Sequence, residues 1–338
     1  MGGSALRRYL LVRVLLAIPM LFILLTLVFL LVRVIPGDPV TSTLGMRLSS
    51  EEIEERKDAL GFNDPLLVQY GRYMVDAVQG DFGDPLTDRR SVGEIVADTA
   101  PATFELAIFA MLVAVVIGVT IGSLSGRLRD TPFDIGGRLF GIVIFAAPIF
   151  WLGLLAQLQF AVNWGWFPTS GRASGFDAPE DVTGLYVLDS IITADWTALA
   201  SSLHHLVLPS VTLGLVIGGV FVRLVRVNML QTLRADYVEA AHARGVPPYR
   251  VLFRHAFKNA MVPIVTIMGL QLALLLGNAV LTETVFSWPG VGRSLVNFVV
   301  ARDYAAVQGL VTFFAIVVAV MSMLIDLING LIDPRIRY

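Results

Sequence analysis

Six stretches of twenty or more largely apolar residues constrain this 338-residue chain more than any other feature. They run at about 10–34, 102–126, 137–162, 205–228, 260–284 and 306–331. About 20 consecutive apolar residues in a helix cross the hydrocarbon core of a bilayer, and a helix satisfies its own backbone polar groups there. The expected fold is therefore an all-α integral membrane protein with six transmembrane helices. Composition agrees: 56% of residues are hydrophobic and 15% charged, where a soluble domain carries about 25% charged residues. The first run follows Arg7 and Arg8 as the core of a signal peptide would. It continues for over 20 residues with no small-x-small cleavage site, and reads as a retained span. Cysteine is absent, which excludes disulfides, thiolate metal sites and a cysteine nucleophile. A net charge of −2 gives nucleic-acid binding no electrostatic support.

The basic residues set the orientation. With the N-terminus in the cytoplasm, the inside holds Arg7, Arg8, Arg127, Arg129, Arg223, Arg226, Arg244, Arg250 and Arg335 on short segments. Acidic residues cluster instead in "EEIEERKD" and "DFGDPLTDRR" on a long outside segment. This is the positive-inside pattern, and an even number of spans leaves both termini cytoplasmic. The chain is thus expected to be one transmembrane domain over 1–338, with an outer segment at 35–101, an outer loop at 163–204 and a cytoplasmic loop at 229–259.

Within the outer segment, residues 49–60 read as a helix capped by Ser49 or Ser50 and stopped at Gly61. Residues 65–79 read as a second, amphipathic helix with proline in its first turn. Both are expected on the outer membrane surface. Pro36 and Asp38 in "IPGDP" read as a turn ending the first span. Trp164 and Trp166 in the outer loop read as interfacial aromatics.

The cytoplasmic loop is the most informative stretch: "DYVEAAHARGVPPYRVLFRHAFKNAMVP", 236–263. Asp236 at its start and Arg244 before Gly245 suit the two ends of a short helix, and Pro247-Pro248 force a bend before a second helix. Tyr237, Ala240, Ala241 and Arg244 have i, i+3, i+4, i+7 spacing and share one face. That face is either an amphipathic surface resting on lipid headgroups or a close-approach surface for a protein. Its small residues insert poorly among acyl chains, which favours the protein.

"EAAHARG" with the downstream "MVP" resembles the loop of ABC-importer permeases. Further likeness lies in "RVIPGDPV" (33–40), "LGFNDPLLVQYGRYMVDAVQGDFG" (60–83), "ETVFSWPGVGR" (283–293) and "DPRIRY" (333–338). These stretches are similar to the permeases of dipeptide, oligopeptide and nickel importers, and to the first of their two permease subunits. The resemblance implies that 236–245 is a coupling helix seated on an ATPase, with Glu239, Ala240, Ala241 and Gly245 at the motif positions. It implies a second homologous permease, two ATP-binding-cassette subunits that hold ATP and Mg, an external substrate-binding protein and surrounding lipid as partners. It implies no cofactor in this chain. The implied cargo is di- or oligopeptides; relatives of this branch also carry nickel chelates, glutathione or haem.

The residues show no chemistry of their own. There is no GxxxxGK[ST] phosphate loop, and adjacent His204 and His205 lack the i, i+4 spacing of a helical zinc site; no metal site is expected. In the fifth span Gln271, Asn278 and Thr282 fall on one face, and either line an aqueous path or hydrogen-bond between helices. Glu283 beside "SWPGVGR" with Trp288, and Glu105 at the outer end of span two, are the candidates for an outer gate; Glu105 reads equally as an interfacial carboxylate. Arg223 and Arg226 read as topology anchors at headgroups rather than as ligands. A proton-coupled carrier, the rival class, would place acids or histidines mid-span; Glu105 and Glu283 lie near span ends.

Overall fold

A computed structural model of the chain describes residues 3–34, 39–44, 49–247, 250–251 and 257–332. The turn at Pro36 and Asp38, most of the second helix expected after Pro248, and the terminal "DPRIRY" lie outside them. The described residues form helices and connecting segments: α1 (Gly3–Val34), α2 (Pro39–Leu44), α3 (Ser50–Ala59), α4 (Leu66–Gln79), α5 (Val92–Arg127), α6 (Pro132–Ala146), α7 (Ile149–Ala156), α8 (Tyr186–Ile192), α9 (Trp196–Leu233), α10 (Asp236–Ala243), α11 (Lys258–Val285), α12 (Val291–Val300) and α13 (Tyr304–Ile332).

Four of these are long and apolar enough to cross a membrane: α1 through Leu15–Val32, α5, α9, and α13 through Tyr304–Ile325. The expected third span, 137–162, is not straight. α6 and the helical stretch Ile149–Asn163 form a pair bent by 104°, because Pro148 supplies no N–H and holds Ala147 extended. The expected fifth span falls on α11, whose 28 residues measure about 42 Å at 1.5 Å per residue. The chain divides into two compact units, 1–101 with 290–338, and 102–289.

In the first unit α1 packs along α13. The outer-segment helices form as the sequence predicts. Ser49 caps α3 in a capping box with Glu52, and Gly61 ends it in the left-handed region at φ +71°. α4 starts after Pro65 and lies against α1. Its Tyr70 ring meets Phe22 and Phe29, its Tyr70 hydroxyl is 2.7 Å from that of Thr26, and the Tyr73 hydroxyl is 2.8 Å from that of Thr312 on α13. Buried Asp303 ties the loop before α5 to the start of α13: its carboxylate accepts N–H groups from Leu86 (2.7 Å), Thr87 (2.8 Å) and Ala306 (3.2 Å).

In the second unit α9 is the central element, packed by α6, α7, α8 and α11. Its contact with α5 is a small-residue seam. Gly118, Gly122 and Gly126 lie four apart and meet Phe221, Val225 and Met229, also four apart, with no room for a Cβ on the glycines. Without a hydrophobic drive between helices in lipid, such close backbone approach is what dispersion needs. α9 begins at Asp195, whose carboxylate accepts the Ala198 N–H at 2.9 Å. It therefore starts well before the expected boundary at 205. His204 and His205 lie inside it, their ring nitrogens bonded to the carbonyl oxygens of Trp166 and Ser201. Trp164 and Trp166 are exposed, with ring centroids 4.4 Å apart at the end of the Ile149–Asn163 stretch.

Candidate functional site

α10 is set by its ends. Asp236 and Glu239 fill its first turn, where the helix dipole favours acids. At the other end Gly245 takes φ +74° and the Val246 N–H donates to the Ala241 carbonyl at 3.1 Å. That 6→1 bond with a left-handed residue inside it is a Schellman motif, and Val246 closes it by packing on Val238, Ala241 and Val251. A Cβ at position 245 would have open space but a strained backbone.

The face drawn from spacing is partly corrected. Tyr237, Ala240 and Arg244 are exposed, with Glu239 beside them, but Ala241 is fully buried under Val238 and Val251. It lies at the edge of the face turned toward Val238, so the tertiary contact claims it. Arg244 Nε donates to the Ala240 carbonyl at 3.3 Å, which holds the guanidinium along the exposed stripe.

At the far end of the second unit, the three expected gate residues form one cluster. Glu105 is buried and accepts from Arg172 Nε (3.0 Å) and Nη2 (2.6 Å) on one oxygen and from the Val187 N–H (2.8 Å) on the other. Arg172 also donates to the Gly184 carbonyl at 2.7 Å and stacks over the Tyr186 ring at 3.8 Å. Trp288 is fully buried; its indole N–H donates to the Ala102 carbonyl (2.8 Å), and its ring lies 5.8 Å from the Arg172 guanidinium. Glu283, also buried, accepts the Thr103 hydroxyl at 2.7 Å. Gln157 extends the cluster, its amide donating to the carbonyls of Thr169 (2.8 Å) and Val285 (3.0 Å). Chemically this is a desolvated, hydrogen-bonded cluster that ties the 163–204 loop to α5 at Ala102–Glu105 and to the C-terminal end of α11. Glu105 is a buried ion-pair partner here, not an interfacial carboxylate.

Of the three expected path residues on α11, Gln271 and Asn278 are half-buried and Thr282 is buried. The Asn278 amide donates to its own helix at the Leu274 carbonyl, 3.1 Å. The Thr282 hydroxyl has no hydrogen-bond partner among the described residues. The polar line is thus most covered at its Thr282 end, while Leu274 and Leu281, on its flank, are exposed.

Two ion pairs escaped the sequence reading. Arg172 sits in the loop with the least recognisable pattern. Its one signal is that it is a lone arginine among glycines and serines in "TSGRASG". Arg226, read as a headgroup anchor, instead holds the fully buried Asp134 carboxylate through Nε and Nη2, the latter at 2.8 Å. Asp134 at the third position of a helix capped by Thr131 was the available clue. Arg223 remains exposed.

Residues 118–338 match the family of binding-protein-dependent transport system inner membrane components, and residues 6–107 match the N-terminal region of such membrane components. The chain is 39% identical over 326 residues to the dipeptide transport system permease protein DppB of Alkalihalophilus pseudofirmus, covering 96% of this chain and 98% of that one. It is 39% identical over 324 residues to the di/tripeptide transport system permease protein DppB of Pseudomonas aeruginosa, covering 96% of each. The dipeptide transport system permease protein DppB of Escherichia coli K12 is 36% identical over 335 residues, 98% of this chain and 99% of that one. Matched along nearly its whole length, the chain belongs to the binding-protein-dependent transport system inner membrane components, multi-pass proteins of the cell membrane.

Proposed function

We propose that the chain is the first of two permease subunits of an ATP-binding-cassette importer that moves di- and oligopeptides into the cell. The observation that carries this reading is the near full-length likeness to three permeases named for dipeptide or di/tripeptide transport. Two cytosolic ATPase subunits, holding ATP and Mg, supply the energy, and an external binding protein delivers the cargo; this chain needs no cofactor and performs no catalysis. α10 is the coupling element. Its exposed Tyr237, Glu239, Ala240 and Arg244 present two charges and a short side chain to a groove. The Gly245 cap and the buried Val238–Ala241–Val251 contact make it a rigid lever. Movement of the docked α10 transmits nucleotide-driven closure of the ATPases to the spans, because only contacts that differ between the two states can shift them. Gln271, Asn278 and Thr282 line the path, and the Glu105–Glu283–Trp288 cluster closes its outer end.

The test uses the assembled complex. Wild type is compared with Glu239→Lys and Gly245→Pro for ATPase retention on purification and ATP-dependent dipeptide uptake in vesicles. The expected result is normal membrane insertion with lost retention or lost uptake. Unchanged retention and uptake would remove α10 from the coupling role, and complexes that couple ATP hydrolysis normally but take up no peptide would overturn the cargo.

A further inference from the structure

α4 presents three distinct surfaces. Tyr70, Tyr73 and Ala77 turn to the protein, against α1 and α13. Gln69, Arg72 and Asp76 turn to a cavity of about 190 Å³ that also includes Tyr73, Asp81 and Gln308 in its lining. The third arc is Leu67, Gly71, Val75 and Val78, which fall within about 80° of one another at 100° per residue. Leu67 is 83% exposed, Val75 53% and Val78 81%.

The depth of the protein-facing arc says what covers the open one. Tyr70 meets Phe22, Thr26 and Phe29, all inside the Leu15–Val32 stretch of α1 that crosses the membrane. Thr26 and Phe29 lie in its C-terminal half, roughly 4 and 8 Å from its centre at 1.5 Å per residue. A tyrosine side chain reaching to that level places the α4 backbone near the edge of a hydrocarbon core whose half-thickness is about 15 Å. α1 exposes Phe22, Ile23, Leu27 and Leu30 at the same level. The open arc of α4 therefore lies at the level of an exposed apolar surface on a helix long and apolar enough to cross a membrane, while Arg72 points away and pairs with Asp64 at 2.8 Å.

We propose that α4 is an interfacial wedge: its Leu67–Gly71–Val75–Val78 flank lies among the acyl chains of the leaflet at the C-terminal end of α1. Its polar flank faces an aqueous cleft. Bulky apolar residues on one flank and charge on the other are what such a helix requires. The helix is thus seated in the membrane edge, rather than lying over it.

This chain has no cysteine, so with the partner subunits made cysteine-free a single introduced thiol reports on one position. Single cysteines at Leu67, Val78 and, as control, Arg72 are labelled with an environment-sensitive fluorophore in the full complex in lipid nanodiscs. Quenching by spin-labelled phospholipid is compared with quenching by aqueous iodide. Expected is lipid quenching several-fold stronger at Leu67→Cys and Val78→Cys than at Arg72→Cys, with iodide showing the reverse order. Iodide quenching at 67 and 78 equal to that at 72 would overturn the proposal in favour of water. Protection of 67 and 78 from both quenchers would overturn it in favour of a protein partner on that face.

Discussion

Arg172 and Glu105 carry opposite charges in a site where each side chain is nearly inaccessible, 6% and 3% exposed. Removing one partner leaves an uncompensated buried charge, which costs about 3–5 kcal/mol, while removing both with well-packed neutral residues costs far less. Arg172→Met and Glu105→Gln are each expected to lower the melting temperature of the purified complex sharply, and the double variant to recover much of the loss. Additive losses in this double-mutant cycle would show that the pair is not coupled. Asp88 behaves oppositely, because its ion pair lies at the surface. Hydrogen bonds from the Arg90 side chain hold its carboxyl at about 2, below the ordinary 3.8. A depressed carboxylate contributes fully above its unfolded value and loses that contribution as pH falls through the folded one. Acidification from pH 7 to 5 should leave hydrogen exchange across 81–91 unchanged after correction for intrinsic rates; protection lost by pH 5 would contradict the pairing. Neither the Arg172–Glu105 pair nor the Arg226–Asp134 pair was legible beforehand. Glu105 and Asp134 could be located near span ends, but a buried partner is chosen by tertiary proximity, and Arg172 lies 67 positions from Glu105.

Elements were more legible than pairs, because caps and periodicity are local. Ser49, Gly61, Pro65 and Gly245 each mark the boundary that the sequence assigns to them. The starts of α9 and the break at Pro148 were not read, since apolar content alone does not distinguish a helix that begins outside the bilayer or bends within it. The exposed face of α10 was legible in Tyr237, Ala240 and Arg244, but not in the burial of Ala241, which depends on Val251 beyond Pro247. Two substitutions test the elements. Gly245→Ala forces a Cβ into the left-handed region at a cost of about 1–2 kcal/mol. It should reduce peptide uptake per ATP without reducing membrane expression, with Gly245→Asn milder because asparagine tolerates that region. In the α5–α9 seam, Gly122→Leu would have to displace Val225 and the Val222 carbonyl. Its destabilisation should meet or exceed the roughly 1–3 kcal/mol of ordinary overpacking. Gly136→Ala, with open space around it, should assemble normally. Equal yields of folded complex from both would exclude a tight seam.

At the scale of the whole molecule, the 104° bend between α6 and α7 decides how many times the chain crosses. A re-entrant loop would return to the side it left, giving five crossings and termini on opposite sides; a broken span would give six and both termini together. The second course is the one expected from contacts inside the second unit. Gly137 packs on Ser125 and Gly141 on the Gly219 carbonyl, whereas Gly153 packs on Thr212 and Val285. From Gly219 to Thr212 the chain has moved about 10 Å along α9. Beyond α7 it reaches Arg172, which is bonded to Glu105. Glu105 and Ser125 stand twenty residues apart on the straight run of α5, about 30 Å, which is the thickness of the hydrocarbon core. α6 therefore lies at the Arg127 end of α5 and the 163–204 loop at the other. Single cysteines at Glu54, Arg129, Glu180 and Glu239, all exposed, give the readout with a membrane-impermeant maleimide. Positions 54 and 180 should react in intact cells, and 129 and 239 only after permeabilisation. Reaction of 129 and 180 from the same side would make the bent pair a re-entrant loop, and the crossings five.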